Sequence, residues 1–171
     1  MTIYALSSGS GLSGVAIIRI SGQEASNVIK ALTSKEIPKP RVATLRKINN
    51  INTSKLIDEG IIIWFPGPES YTGEDMAEIH IHGGKAGILA VQNEISKVKN
   101  CRLADPGEFT KLAFQNGKIN LLKAESIADL ISAETEMQRL QAVKIMEGKS
   151  SSKFNELRDK LLKILSFIEA K

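Results

Sequence analysis

The sequence predicts an α+β fold: a mixed α/β unit over residues 1–118, followed by an α-helical hairpin over 119–171. Three observations predict it. Short β-branched runs alternate with helical periodicities through the first part of the chain. One run, Met76 to His82, alternates strictly: Ala77, Ile79 and Ile81 point one way, Glu78, His80 and His82 the other. That is the mark of a half-buried strand with one polar face. From Leu121 to Glu147 there is neither proline nor glycine, and Leu130, Ala133, Met137 and Leu140 recur three and four apart.

Composition narrows the class. The chain has 171 residues, 42% hydrophobic and 25% charged, enough apolar mass for a core in a globular protein. No apolar run approaches the roughly 18 residues of a membrane span. Met1 to Gly14 carries no basic region, so no secretory signal is expected. Cys101, the single cysteine, excludes an internal disulfide framework and suits a reducing, cytoplasmic setting. The net charge of +4 is scattered along the chain and reads as a solvated surface. An RNA-binding module presents clustered cations with exposed aromatics; here the few aromatics sit mostly in apolar runs.

In chain order, Ile3 to Leu6 predicts a short strand. Gly9 to Gly14 matches G-x-G-x-x-G, but a dinucleotide fingerprint needs a helix to open there. The strand-like Val15 to Ile20 follows instead, so the glycines are read as a flexible loop. Ser21 is expected to cap a helix over Gln23 to Leu32. Val42 to Ile48 predicts a strand and Asn49 to Asn52 a hairpin tip. The continuous apolar run Gly60 to Phe65 predicts a strand covered on both faces. Thr72 to Asp75 is the turn feeding the Met76 strand, and Gly83-Gly84 ends it. Lys85 to Lys99 predicts an amphipathic helix, and Asn100 to Pro106 a connection. A short helix opens near Pro106, and Asn116-Gly117-Lys118 is a tight turn. One long helix is expected up to Glu147, its stripe forming core between helices. A second is capped from Ser150 to Ser152 and carries Phe154, Leu157, Leu161, Ile164 and Ile168 on one face. That helix has no stop signal, so the natural chain is expected to extend past Lys171.

Arg19 and Glu78 are charged interruptions of otherwise apolar strands. A charge taken out of water needs a partner. Two partners fit: a ligand, or each other across the sheet. Glu78, His80 and His82 lie colinear along one strand and do not converge, so no metal site is expected. Cys101 has no histidine near it in sequence and no acidic helper pattern, and is not read as a nucleophile.

Four segments carry a resemblance: GVAIIRISG (Gly14 to Gly22), WFPGPESYTGEDMAEIHIHGG (Trp64 to Gly84), RLADPGEFTKLAFQNGKINLLKAESIADLI (Arg102 to Ile131), and Ala133-Glu134-Thr135-Glu136. Their order and spacing resemble the N-terminal part of the tRNA-modifying GTPase family known as MnmE or TrmE. The resemblance implies an N-terminal domain related to tetrahydrofolate-binding modules of the glycine-cleavage T-protein type. It also implies a dimer formed through that domain, and then the first helices of a helical domain. Family members work with the flavoprotein MnmG. The pair adds a (carboxymethyl)aminomethyl group to carbon 5 of the wobble uridine of tRNA, with a one-carbon unit from 5-formyl- or 5,10-methylene-tetrahydrofolate. The family's folate contacts fall on Arg19, Glu78 and Lys118. Its GTP, Mg²⁺ and K⁺ belong to a G domain that these residues do not include: Gly84-Lys85, Gly117-Lys118 and Gly148-Lys149 all lack the upstream glycine of G-x-x-x-x-G-K-[ST]. The family's C-terminal cysteine motif and the Pro-Pro-Gly of its first loop are absent as well. The alternative of another class is a stand-alone folate-dependent aminomethyltransferase or folate-binding module.

Overall fold

The computed structural model describes residues 1–9 and 11–169, and for 149–152 the backbone only. They fall into two compact units, 1–118 and 119–171. Among the described residues of the first, six strands form one sheet: β1 (Thr2–Leu6), β2 (Ser13–Ser21), β3 (Thr44–Asn49), β4 (Leu56–Phe65), β5 (Met76–Gly83) and β6 (Cys101–Leu103). Their order is β3-β4-β5-β2-β1-β6. β1 and β6 run parallel; every other neighbouring pair is antiparallel. Helices α1 (Ala25–Thr33), α2 (Lys85–Ile95) and α3 (Glu108–Gln115) complete the unit.

The core follows from period two meeting period 3.6. Ile18 and Ile20 of β2, Ile62 and Trp64 of β4, and Ala77 and Ile79 of β5 are buried on one sheet face. Val28, Ile29 and Leu32 of α1 and Val91 and Ile95 of α2 close over them. Each large side chain buried this way contributes about 1.5–3 kcal/mol.

The expected class, a mixed α/β unit followed by helices, is the one observed. Several finer readings change. The Gly60 to Phe65 run is not covered on both faces: Ile62 and Trp64 are buried, whereas Ile61 is 39% exposed, because α1 and α2 cover one face only. Ser21 caps no helix. It ends β2, fully buried, and its hydroxyl bonds Thr72 Oγ1 at 2.7 Å and Glu74 Oε2 at 3.1 Å. Glu24 stands at the N-cap of α1, but its side chain caps no backbone N–H and accepts instead from Asn27 Nδ2 at 2.7 Å. α2 stops at Ile95 rather than Lys99, and Cys101–Leu103 adds a strand where a connection was expected. Three residues are too few to show a period. The glycine-rich segment does run into a strand and not a helix.

The second unit holds α4 (Leu121–Ser132), α5 (Glu136–Met146) and α6 (Lys149–Glu169). The single long helix expected up to Glu147 is therefore two. The break lies at Ala133, whose ψ of 120° is extended. Thr135 restarts the helix through a capping box: its Oγ1 accepts from Gln138 N–H at 3.3 Å, and Gln138 Oε1 accepts from Thr135 N–H at 2.9 Å. The expected Leu130 to Leu140 core stripe fails with it: Met137 is 78% exposed, and the buried residues are Ser126 and Ala142. The capping role expected of Ser150 to Ser152 falls on side chains outside the described residues. The apolar stripe of α6 from Phe154 to Ile168 is exposed.

One buried carboxylate ties the β3–β4 hairpin to α2. Glu94 Oε1 accepts from Asn50 Nδ2 and Lys97 Nζ, both at 2.6 Å, and Oε2 from Ile51 N–H at 3.0 Å. The Lys97 hydrogen bond holds the Glu94 carboxyl below its usual range of 4.5; burial opposes this, and the Ile51 N–H and the Lys97 charge assist it. A depressed carboxyl stabilises the fold above its unfolded pKa and loses that contribution as pH falls through the folded value. Glu94→Gln is therefore expected to destabilise most above about pH 5, with the difference from wild type shrinking below about pH 4. Urea unfolding at pH 7, 5 and 3.5 checks it; a difference that does not vary with pH counts against the assignment.

Candidate functional site

The polar face of the sheet opposite α1 and α2 carries the site. In the β2–β5 ladder Arg19 and Glu78 are register partners, so period two puts both side chains on this face while Ile18, Ile20, Ala77 and Ile79 go to the core. Arg19 donates from Nε at 3.1 Å and from Nη2 at 2.8 Å, both to Glu78 Oε1. The guanidinium lies 5.8 Å from the ring centroids of both Tyr71 and Phe109, a cation held between two aromatic faces. The other Glu78 oxygen, Oε2, meets His80 Nε2 at 3.3 Å.

A cavity of about 390 Å³ opens beside the pair. Phe65, Tyr71 and Met76 give it apolar walls, and Arg19, Arg41 and Glu78 give it charge. Its rim is the segment between β4 and β5, which is held tightly. Thr72 is fully buried against Ser21, Gly67 N–H donates to Asp75 Oδ1 at 2.9 Å, and the Tyr71 hydroxyl bonds Thr110 of α3 at 3.0 Å.

Lys118 is not in the cavity lining. It braces the same rim from the far side. Its Nζ donates to the Pro68 carbonyl at 2.8 Å, and its stem lies over Gly73, where an added Cβ would stand 3.4 Å from Lys118 Cδ. The Asn116 amide donates to the Thr72 carbonyl at 2.7 Å, and Gly117 makes the turn at φ 67°. The structure thus joins Arg19 to Glu78 and sets Lys118 on the loop that borders them.

The polar residues of β5 part company beyond Glu78. His82 turns to Asp58 of β4: its ring Nδ1 donates to Oδ1 at 2.8 Å and its N–H to Oδ2 at 2.9 Å. Burial works to raise Asp58, but these His82 bonds and the Glu59 N–H outweigh it and hold the carboxyl below the ordinary range. Among the described residues no three His, Cys, Asp or Glu side chains gather as a metal set. Burial, and then the Glu24 charge, push the Cys101 thiol up, away from the thiolate a nucleophile needs.

Chemically, the cavity offers a carboxylate that accepts from a donor-bearing ring, aromatic walls for a flat body, and guanidinium groups for an anion. Arg41, Phe65, Tyr71, Phe109 and Asp58 were not singled out in the sequence. Arg41 and Tyr71 lie between elements, Phe65 ends an apolar run, Phe109 is on α3 and Asp58 is beside Glu59 in β4, and nothing local marks any of them as a binding residue.

Known proteins decide the family. The profile described as GTP-binding protein TrmE N-terminus matches residues 2–118, and that described as MnmE helical domain matches residues 121–171. The chain belongs to the MnmE/TrmE family. It is 77% identical over its whole length to tRNA modification GTPase MnmE of Pelagibacter ubique, covering 39% of that protein. It is 44% identical over 99% of its length to tRNA modification GTPase MnmE of Parvibaculum lavamentivorans, again covering 39%. It is 45% identical over 99% of its length to the mitochondrial 5-taurinomethyluridine-[tRNA] synthase subunit GTPB3 of Danio rerio, covering 34%. The chain thus spans between a third and two fifths of these curated relatives. Arg19, Glu78 and Lys118 all lie within the part matched to the family's N-terminus. No described helix is long and apolar enough to cross a membrane.

Proposed function

We propose that this chain is the folate-binding and dimerising part of a tRNA-modification GTPase. Residues 1–118 bind a tetrahydrofolate one-carbon donor and pair with a second copy; residues 119–171 begin a helical domain. With an MnmG-type flavoprotein the whole protein acts in the cytoplasm on the wobble uridine of tRNA, and GTP hydrolysis belongs to a domain outside these residues. The observation that carries the folate reading is the Arg19–Glu78 pair on the wall of a cavity with aromatic sides. A pterin presents adjacent N–H groups that a carboxylate accepts in parallel, and its flat ring suits the space beside Phe65 and Tyr71. The cavity volume of about 390 Å³ lies in the range of small-molecule sites. Lys118 closes the site when its Nζ exchanges the Pro68 carbonyl for the ligand. The names of the relatives support the tRNA-modification role. Leu12 and Val15, exposed where β2 begins, are apolar side chains of the kind a second copy covers.

The test is a calorimetric titration of the chain with 5-formyltetrahydrofolate and, separately, with GTP, alongside its mass by light scattering. Saturable folate binding, no GTP binding and a dimer mass are expected. Absence of folate binding by the folded chain sinks the folate reading, and a monomer mass at about 0.1 mM, well above typical dimer constants, sinks the dimer.

A further inference from the structure

The cavity beside the Arg19–Glu78 pair has a second guanidinium, and it has no ionic partner among the described residues. Arg41 comes from the segment between α1 and β3. Its place is set by the backbone. Pro40 bridges to Trp64 at the end of β4, and Arg41 N–H donates to the Trp64 carbonyl at 2.8 Å. Arg41 itself sits at φ 60°, a left-handed conformation that crowds any side chain with a Cβ. The guanidinium lies 5.6 Å from the Phe65 centroid and donates from Nη2 to the Glu69 backbone carbonyl. Among the described residues no carboxylate stands within the 4.0 Å of an ion pair. Arg19, by contrast, is neutralised by Glu78. In the strand order the charges follow one another: Arg41 against β4, Glu78 on β5, Arg19 on β2. The free cation therefore lies on the side of Glu78 away from Arg19.

We propose that Arg41 holds the anionic end of the ligand whose ring Glu78 accepts, taking a carboxylate on its guanidinium edge. This rests on the folate reading, in which that carboxylate belongs to the glutamyl tail. Stacking on Phe65 fixes the plane of the fork and leaves its remaining N–H donors free, and such a fork matches a carboxylate with two parallel bonds. Glu69 borders the same cavity, so its negative charge opposes an incoming anion.

Two probes separate tail from ring in calorimetric titrations of the full chain: 5-formyltetrahydrofolate, and 5-formyl-6-methyltetrahydropterin, which has the ring and no tail. Arg41→Gln is expected to weaken folate binding by about tenfold or more, the loss of charge-assisted hydrogen bonds, and to leave the tailless pterin unchanged. Glu69→Gln is expected to tighten folate by about threefold and again to leave the pterin unchanged. Equal loss of both probes in Arg41→Gln, or no loss of folate, overturns the assignment while the folate reading stands. Wild-type protein that takes up the pterin and the folate equally well overturns it too. Uptake of neither probe overturns the folate reading and this assignment together. If Arg41→Gln does not fold, Glu69→Gln decides: folate affinity that fails to rise counts against a tail at this end of the cavity.

Discussion

Gly60→Ala is expected to destabilise the first unit by about 3 kcal/mol, the upper end of overpacking costs. A Cβ at Gly60 would stand 2.1 Å from the His80 carbonyl oxygen and 3.1 Å from its carbon. Those are backbone atoms in the middle of the sheet, so no side chain can swing away. β4 and β5 must separate locally, and their ladder sets Ile62 against Ile79 and Ile63 against Glu78. The damage thus reaches both the core and the candidate site. Gly87, inside α2, is the matched control. An added Cβ there meets nothing within 4 Å, and helical Gly→Ala stabilises by about 0.5–1 kcal/mol. Thermal melts are therefore expected to move in opposite directions, down by roughly 10 °C or more for Gly60→Ala and up by a few degrees for Gly87→Ala. A Gly60→Ala protein that melts with wild type would show that the β4–β5 register is wrong at this point.

Glu78→Gln is expected to weaken binding of 5-formyltetrahydrofolate by at least about tenfold. A carboxylate has roughly four acceptor positions, and in the free chain Arg19 occupies two on Oε1 and His80 one on Oε2. To accept two parallel N–H groups, one per oxygen, Glu78 must regain one position on Oε1 from Arg19. The ligand thus replaces part of an existing ion pair. The amide of Gln keeps the shape but turns one acceptor into a donor, so one incoming N–H meets another N–H. It also leaves Arg19 without its counter-charge between Tyr71 and Phe109. Hydrogen bonds to a charged group contribute about 1.5–3 kcal/mol each, which is where the tenfold comes from. Glu36→Gln, an exposed acid paired with Lys30, is the control and should bind like wild type. If Glu78→Gln keeps both its circular dichroism and its folate affinity, the pair with Arg19 is structural and the ligand is read elsewhere.

Much of the fold was legible because it is written in short periods. The alternation from Met76 to His82 announced β5 and its two faces, and the β-branched Val15 to Ile20 separated β2 from a nucleotide-binding helix despite the glycines before it. The break between α4 and α5 was also legible and was overlooked: Thr135 and Gln138 have the spacing of a capping box, but the uninterrupted apolar repeat across it carried the reading. Other features left no such trace. β6 is three residues long, and it exists because β1 offers an open edge. Ile61 lies exposed in a run of five apolar residues, since an apolar run records hydrophobicity and not how many layers cover it.

The sequence by itself determined that Glu78 and its neighbours share a polar face and that Arg19 interrupts an apolar strand. Those facts depend only on a backbone whose side chains alternate every residue. The tertiary structure decided who meets whom. Arg19 reaches Glu78 across 59 residues of chain because the β2–β5 register sets Ile18 against Ile79 in the core, and a slip of one residue would turn the slipped strand's charge into the core and leave its partner on the opposite face. His82 found Asp58 and Arg41 found the cavity in the same way, through β4. Register is chosen by burial summed over the whole sheet, and no window of sequence contains that sum.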